Sequence, residues 1–104
     1  MFELSVNAAE QIRVAAKMGG MEEMPLRLSA SQKPDGTIDY KMGFDDGSGD
    51  DVRVMSENVE IIMSPEDIPL LEEATMDYVE IEKDDYRFIF LNPKDSSYVP
   101  PQEM

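Results

Sequence analysis

Two runs of alternating apolar and polar residues face each other across a four-residue turn signal. They constrain the fold more than any other feature of the chain. Leu26-Arg27-Leu28-Ser29-Ala30 alternates with period two, and Ile38, Tyr40, Met42 and Phe44 alternate with Asp39, Lys41 and Gly43. Successive side chains of a strand point to opposite faces, so each run reads as a half-buried strand. Lys33-Pro34-Asp35-Gly36 between them is a turn with a mechanism. Proline presets φ, aspartate bonds the neighbouring backbone, and glycine takes a positive φ without steric cost. The two runs are therefore expected to form a β-hairpin.

Around this hairpin the chain reads as further strands and two helices. Phe2-Glu3-Leu4 suits a short first strand. Ser5 and Asn7 are both candidate helix caps, and Asn7 with Glu10 has the spacing of a capping box. Ala8, Ala9, Ile12, Ala15, Ala16 and Gly19 fall on one helical face, Glu10, Arg13 and Lys17 lie opposite, and Gly19-Gly20 ends the helix. Residues 52–55 and 59–63 read as strands joined by Ser56-Glu57-Asn58. Ser64-Pro65-Glu66-Asp67 has the serine cap and first-turn proline of a helix start, and Pro69 keeps that helix, near residues 65–73, short or kinked. Residues 76–81 alternate again, Lys83-Asp84-Asp85 turns the chain, and Tyr86-Arg87-Phe88-Ile89-Phe90-Leu91 is its most strand-like run. Asn92-Pro93 ends that strand, and residues 95–104 read as a flexible tail beyond a domain of residues 1–94. The expected architecture is α+β and β-rich, with about seven short strands in twisted packed sheets, one N-terminal helix and one short helix.

The chemical inventory is narrow. At 104 residues the chain fits one domain, and it contains neither cysteine nor histidine. Disulfides, thiolate zinc sites and cysteine-held iron–sulfur clusters are excluded within it, as is the commonest general base. No nucleophile–base pair can be assembled from what remains, so an enzyme is not expected and no cofactor is assigned. Charge is uneven. Residues 1–44 hold six acids and five bases, whereas residues 45–104 hold seventeen acids and four bases. Phosphate backbones and anionic membranes would be repelled by the second half, so neither nucleic acid nor membrane is an expected partner. A basic protein surface is the natural electrostatic partner. The absence of an 18–20-residue apolar run, and of a basic stretch and apolar signal core at the start, points to a cytoplasmic protein, and a monomer is expected.

Several separated pieces then match one family in order. They are the Ala8-Ala9-Glu10-Gln11-Ile12 helix, Leu26-Arg27-Leu28, Tyr40 with Phe44, Val59-Glu60-Ile61-Ile62, Met76-Asp77-Tyr78-Val79, and Phe88-Ile89-Phe90-Leu91-Asn92-Pro93. Together they resemble the A-type iron–sulfur carriers, the HesB/IscA family, over nearly the whole chain. That resemblance implies three metal-binding cysteines, one at the hairpin tip and two in a Cys-Gly-Cys tail. Counted from Leu26 and Asn92, those positions hold Asp35, Val99 and Pro101. Valine and proline offer a metal no donor atom, and aspartate is a hard ligand poorly matched to a soft cluster. The resemblance therefore implies the carrier scaffold without its chemistry. Among cysteine-free members it points to one associated with the sulfite reductase genes of sulfur-oxidising bacteria, which implies an interaction or regulatory role in sulfur oxidation with a basic or iron–sulfur-related protein partner.

The candidate interaction site follows from the same positions. It comprises Lys33, Pro34, Asp35 and Gly36 at the hairpin tip with Tyr98, Val99, Pro100 and Pro101 in the tail. Simpler readings stand beside it. Asp35 fits a turn that favours aspartate before glycine. The acidic loop at residues 45–51 lacks the order of a calcium loop and reads as solvated, although carboxylate ligation by Asp35 and that loop is the alternative function. The nine methionines read mostly as core gap fillers, with Met18, Met21 and Met24 as a possible contact surface.

Overall fold

The computed structural model describes residues 2–96. A first strand, β1 (Glu3–Leu4), leads into helix α1 (Val6–Gly19). The hairpin β2 (Leu26–Gln32) and β3 (Ile38–Phe44) follows, then a second hairpin of β4 (Val52–Ser56) and β5 (Val59–Met63). A 3-10 turn at Pro65–Asp67 runs into α2 (Ile68–Leu71), and β6 (Thr75–Glu82) and β7 (Asp85–Leu91) form the last hairpin. These are the expected strands and helices of an α+β domain. Two mixed sheets result, one ordered β1-β6-β7 and the other β3-β2-β5-β4. The β1–β6 and β2–β5 pairs are parallel and all other pairs antiparallel.

Alternation decides which faces close on the core. Leu26, Leu28 and Ala30 of β2 are buried while Arg27 and Ser29 point the other way. Ile61, Met63, Leu71 and Met76 are fully excluded from water and join Phe2, Leu4 and the inner face of α1 in one apolar cluster. The two sheets are also keyed by aromatic rings. Tyr40 of β3 stacks on Phe90 of β7 with centroids 3.9 Å apart and planes 4° from parallel.

Several local expectations need correction. The cap of α1 is Ser5, whose hydroxyl accepts from Ala8 N at 3.0 Å and donates to Asp77 Oδ1 at 2.5 Å. Asn7 lies inside the helix, so its spacing to Glu10 makes no capping box. The helix ends in a Schellman motif, with Gly20 at φ 70°, Gly20 N on Lys17 O and Met21 N on Ala16 O. Ala15 and Gly19 are exposed, so its buried stripe narrows to Ala8, Ala9, Ile12 and Ala16. Pro69 shortens the second helix as expected, but Ser64 makes no side-chain cap bond there. Its hydroxyl faces Arg27 instead. Among the described methionines, Met63 and Met76 are buried, whereas Met18, Met21, Met42 and Met55 are exposed. Methionine is thus mainly a surface residue in this fold, against the sequence expectation.

Candidate functional site

The β2–β3 tip gathers Lys33, Pro34, Asp35 and Gly36 as the sequence placed them. Lys33 N donates to Thr37 O at 2.8 Å and Gly36 N to Lys33 O at 2.9 Å, closing the turn. Gly36 has φ +89°, where a Cβ would be strained and would also meet the Ser96 side chain at 3.1 Å. The Asp35 carboxylate turns inward on the loop. Its Oδ1 accepts from Thr37 Oγ1 at 2.6 Å and from Thr37 N at 2.9 Å. The Thr37 hydroxyl and amide hold the Asp35 carboxyl below its ordinary range. Asp35 is therefore a hard oxygen donor already engaged in an Asx turn.

Residues 92–96 lead back to this tip. Asn92, just after β7, is a buried polar residue. Its Nδ2 donates to Leu70 O at 2.6 Å and to Tyr40 Oη at 3.1 Å, while Lys94 N donates to its Oδ1 at 3.1 Å. The chain then turns, with Asp95 N on Asn92 O. Ser96 N donates to Gly36 O at 3.1 Å and Ser96 Oγ to Asp35 O at 3.2 Å. Tyr98, Val99, Pro100 and Pro101 lie outside the described residues.

The acidic loop is not simply solvated. Arg27 projects from the outer face of β2 into it, its Nε donating to Asp45 Oδ2 at 2.5 Å and its terminal nitrogens gripping both oxygens of Asp51. The Asp51 side chain is 4% exposed. Asp51 also accepts from Ser48 N at 2.7 Å, and Asp45 from Gly47 N at 3.3 Å. Arg27 holds both carboxyls below their ordinary range, and the paired carboxylates raise the Arg27 pKa further. A guanidinium thus stands where a bound cation would need to be. Among the described residues, no three acidic or other ligating side chains gather where they could hold a metal ion. The sequence signal for this clamp was a lone arginine between two buried leucines; its partners lie 18 and 24 residues away and become visible only once the strands pair.

No protein-family profile and no curated protein matches the chain. Solved structures do. IscA bearing a 2Fe–2S cluster aligns with a TM-score of 0.78 at 23% identity, covering 92% of this chain and 88% of that one. Escherichia coli SufA, involved in biosynthesis of iron–sulfur clusters, aligns at 0.73 with 24% identity, covering 95% and 86%. The fold is that of IscA and SufA. On this IscA-like scaffold the described residues contain neither cysteine nor histidine, and the tip offers a self-satisfied aspartate. Among the described residues no helix is long and apolar enough to cross a membrane.

Proposed function

We propose that this chain is a non-catalytic, IscA-like protein that has lost iron and iron–sulfur cluster binding and acts through protein contacts. By sequence reading it resembles DsrR, a cysteine-free member of the HesB/IscA family, and that resemblance supports a role in the regulation of bacterial sulfur oxidation. One observation carries the reading. At the tip where the fold's cysteine-bearing relatives are expected to present a thiolate, this chain presents Asp35, whose carboxylate is bonded to Thr37 of its own turn. The other two aligned positions, Val99 and Pro101, have no side-chain donor.

The docking surface proposed with this function is the tip, residues 33–36, together with the tail. Ser96 already fastens the start of that tail to Gly36. Tyr98 and Val99 would serve as apolar anchors, and Pro100 and Pro101 lower the ordering cost of binding. The acidic second half of the chain steers a basic partner, chiefly by raising its association rate.

The alternative, a residual metal binder using carboxylates, is disfavoured by the Arg27 clamp on Asp45 and Asp51. A metal titration followed by residue-resolved chemical shifts separates the two. Weak shifts spread over all acidic residues are expected; a saturable shift confined to Asp35 or to residues 45–51 would overturn the proposal. Pull-downs from cytoplasm with the full chain and with one ending at Asp95 test the surface. Loss of partners on truncation is expected, and identical recovery would move the contact elsewhere.

A further inference from the structure

The β6–β7 hairpin extends past the core, and α1 lies along one of its faces. Between them runs a groove of about 330 Å³ lined by Asn7, Glu10, Gln11, Val14, Tyr78 and Tyr86. Its floor is apolar and open to water. Val14 is 48% exposed and Tyr86 52% exposed. The rings of Tyr78 and Tyr86 stack with centroids 5.7 Å apart and planes 19° from parallel. Phe88 and Phe90 are half-buried and pack on the core, whereas Tyr86 stands clear of it. Tyr78 also packs on the core, so core packing accounts for Tyr78 but leaves the exposed Tyr86 unexplained.

The rim supplies charge of one sign. Glu10 lines the groove from α1, and Glu80 is the direct cross-strand neighbour of Tyr86. Glu82 and Asp84 crowd the adjoining turn, where Glu80 Oε2 accepts from Asp84 N at 3.0 Å. Lys83 is the lone base in that turn. The Arg87 side chain pairs with Asp85, and Arg87 sits opposite Val79, on the other face of the hairpin from Tyr86.

An exposed aromatic pair beside several carboxylates has a definite complement. The faces of the rings attract a cation, and a planar guanidinium can stack on a ring while its N–H fork bonds a carboxylate. An ammonium satisfies the acids but stacks less well, and a phosphate is repelled. We propose that the groove between α1 and the β6–β7 hairpin, floored by Tyr78, Tyr86 and Val14, docks an arginine-bearing segment of a protein partner. This rests on the reading of the chain as an interaction protein. It adds a contact surface that shares no lining residue with the β2–β3 tip.

The test uses the full-length isotope-labelled chain at physiological salt, titrated with a blocked hexa-arginine peptide and separately with hexa-lysine. Saturable shifts at Asn7, Val14, Tyr78 and Tyr86 are expected, with the arginine peptide binding about threefold or more tighter than the lysine one. Tyr86→Ala, at an exposed position, should keep the fold's spectrum and abolish that preference. Equal binding of the two peptides, shifts spread over all acidic residues, shifts centred on residues 33–36, or an arginine preference that survives Tyr86→Ala would each overturn the proposal. Cluster reconstitution reads the functional reading separately: a chain that took up iron would refute that reading while leaving this peptide result standing.

Discussion

Replacing Asn92 by alanine tests how the end of the chain is held to the sheets. The side chain is 1% exposed and joins three elements at once. It donates to the Leu70 carbonyl and the Tyr40 hydroxyl and accepts from the Lys94 amide. Each such bond contributes about 0.5–1.5 kcal/mol net, and a buried group left without its partner costs about 1–3 kcal/mol. Asn92→Ala should therefore destabilise the fold by about 2–4 kcal/mol. With a urea slope of about 2 kcal/mol per molar, the unfolding midpoint falls by about 1–2 M. Tyr40→Phe removes one of the three bonds and keeps the ring stacked on Phe90, so its cost should be about 1 kcal/mol. The double variant should lose less than the sum of the singles, because they share a bond. An Asn92→Ala midpoint matching the parent's, or strict additivity with Tyr40→Phe, would refute the role given to this residue.

Gly36→Ala places a side chain at φ +89° against Ser96 and should cost about 1–2 kcal/mol, with faster hydrogen exchange at the Ser96 amide; an unchanged exchange rate would contradict the contact. Arg27→Met should release the acidic loop, seen as lost exchange protection at Ser48 N and Gly47 N. The same clamp sets a pH dependence. Asp45 and Asp51 titrate below their unfolded value of about 3.9, so their stabilisation is complete above that value and lost as pH falls through the lower folded one. Acid unfolding followed from pH 7 to pH 2 should be steeper in the parent than in Arg27→Met, and equal slopes would remove the clamp from the account.

What the sequence disclosed divides by range. The hairpins were legible because each strand buries one face, so alternation at Leu26, Leu28 and Ala30 reports directly on the core. The turn at Lys33-Pro34-Asp35-Gly36 was legible because its chemistry is local. The choice of Ser5 over Asn7 as cap was not. Both residues suit a cap, and the deciding partner, Asp77, lies 72 residues on. The Arg27 clamp and the Asn92 junction were hidden for the same reason. Each pairs groups that come together only when strands from distant parts of the chain align. Methionine misled because its flexible apolar chain suits cores and open surfaces equally, as Met63 and Met55 show.

Loss of cluster binding on this IscA-like fold is the core of the proposed function. Anaerobic reconstitution of the full-length chain with iron and sulfide, followed by desalting and an absorption spectrum, tests it most directly. A colourless protein with no retained iron or sulfide is expected. A visible-absorbing cluster retained in stoichiometric amount would contradict it.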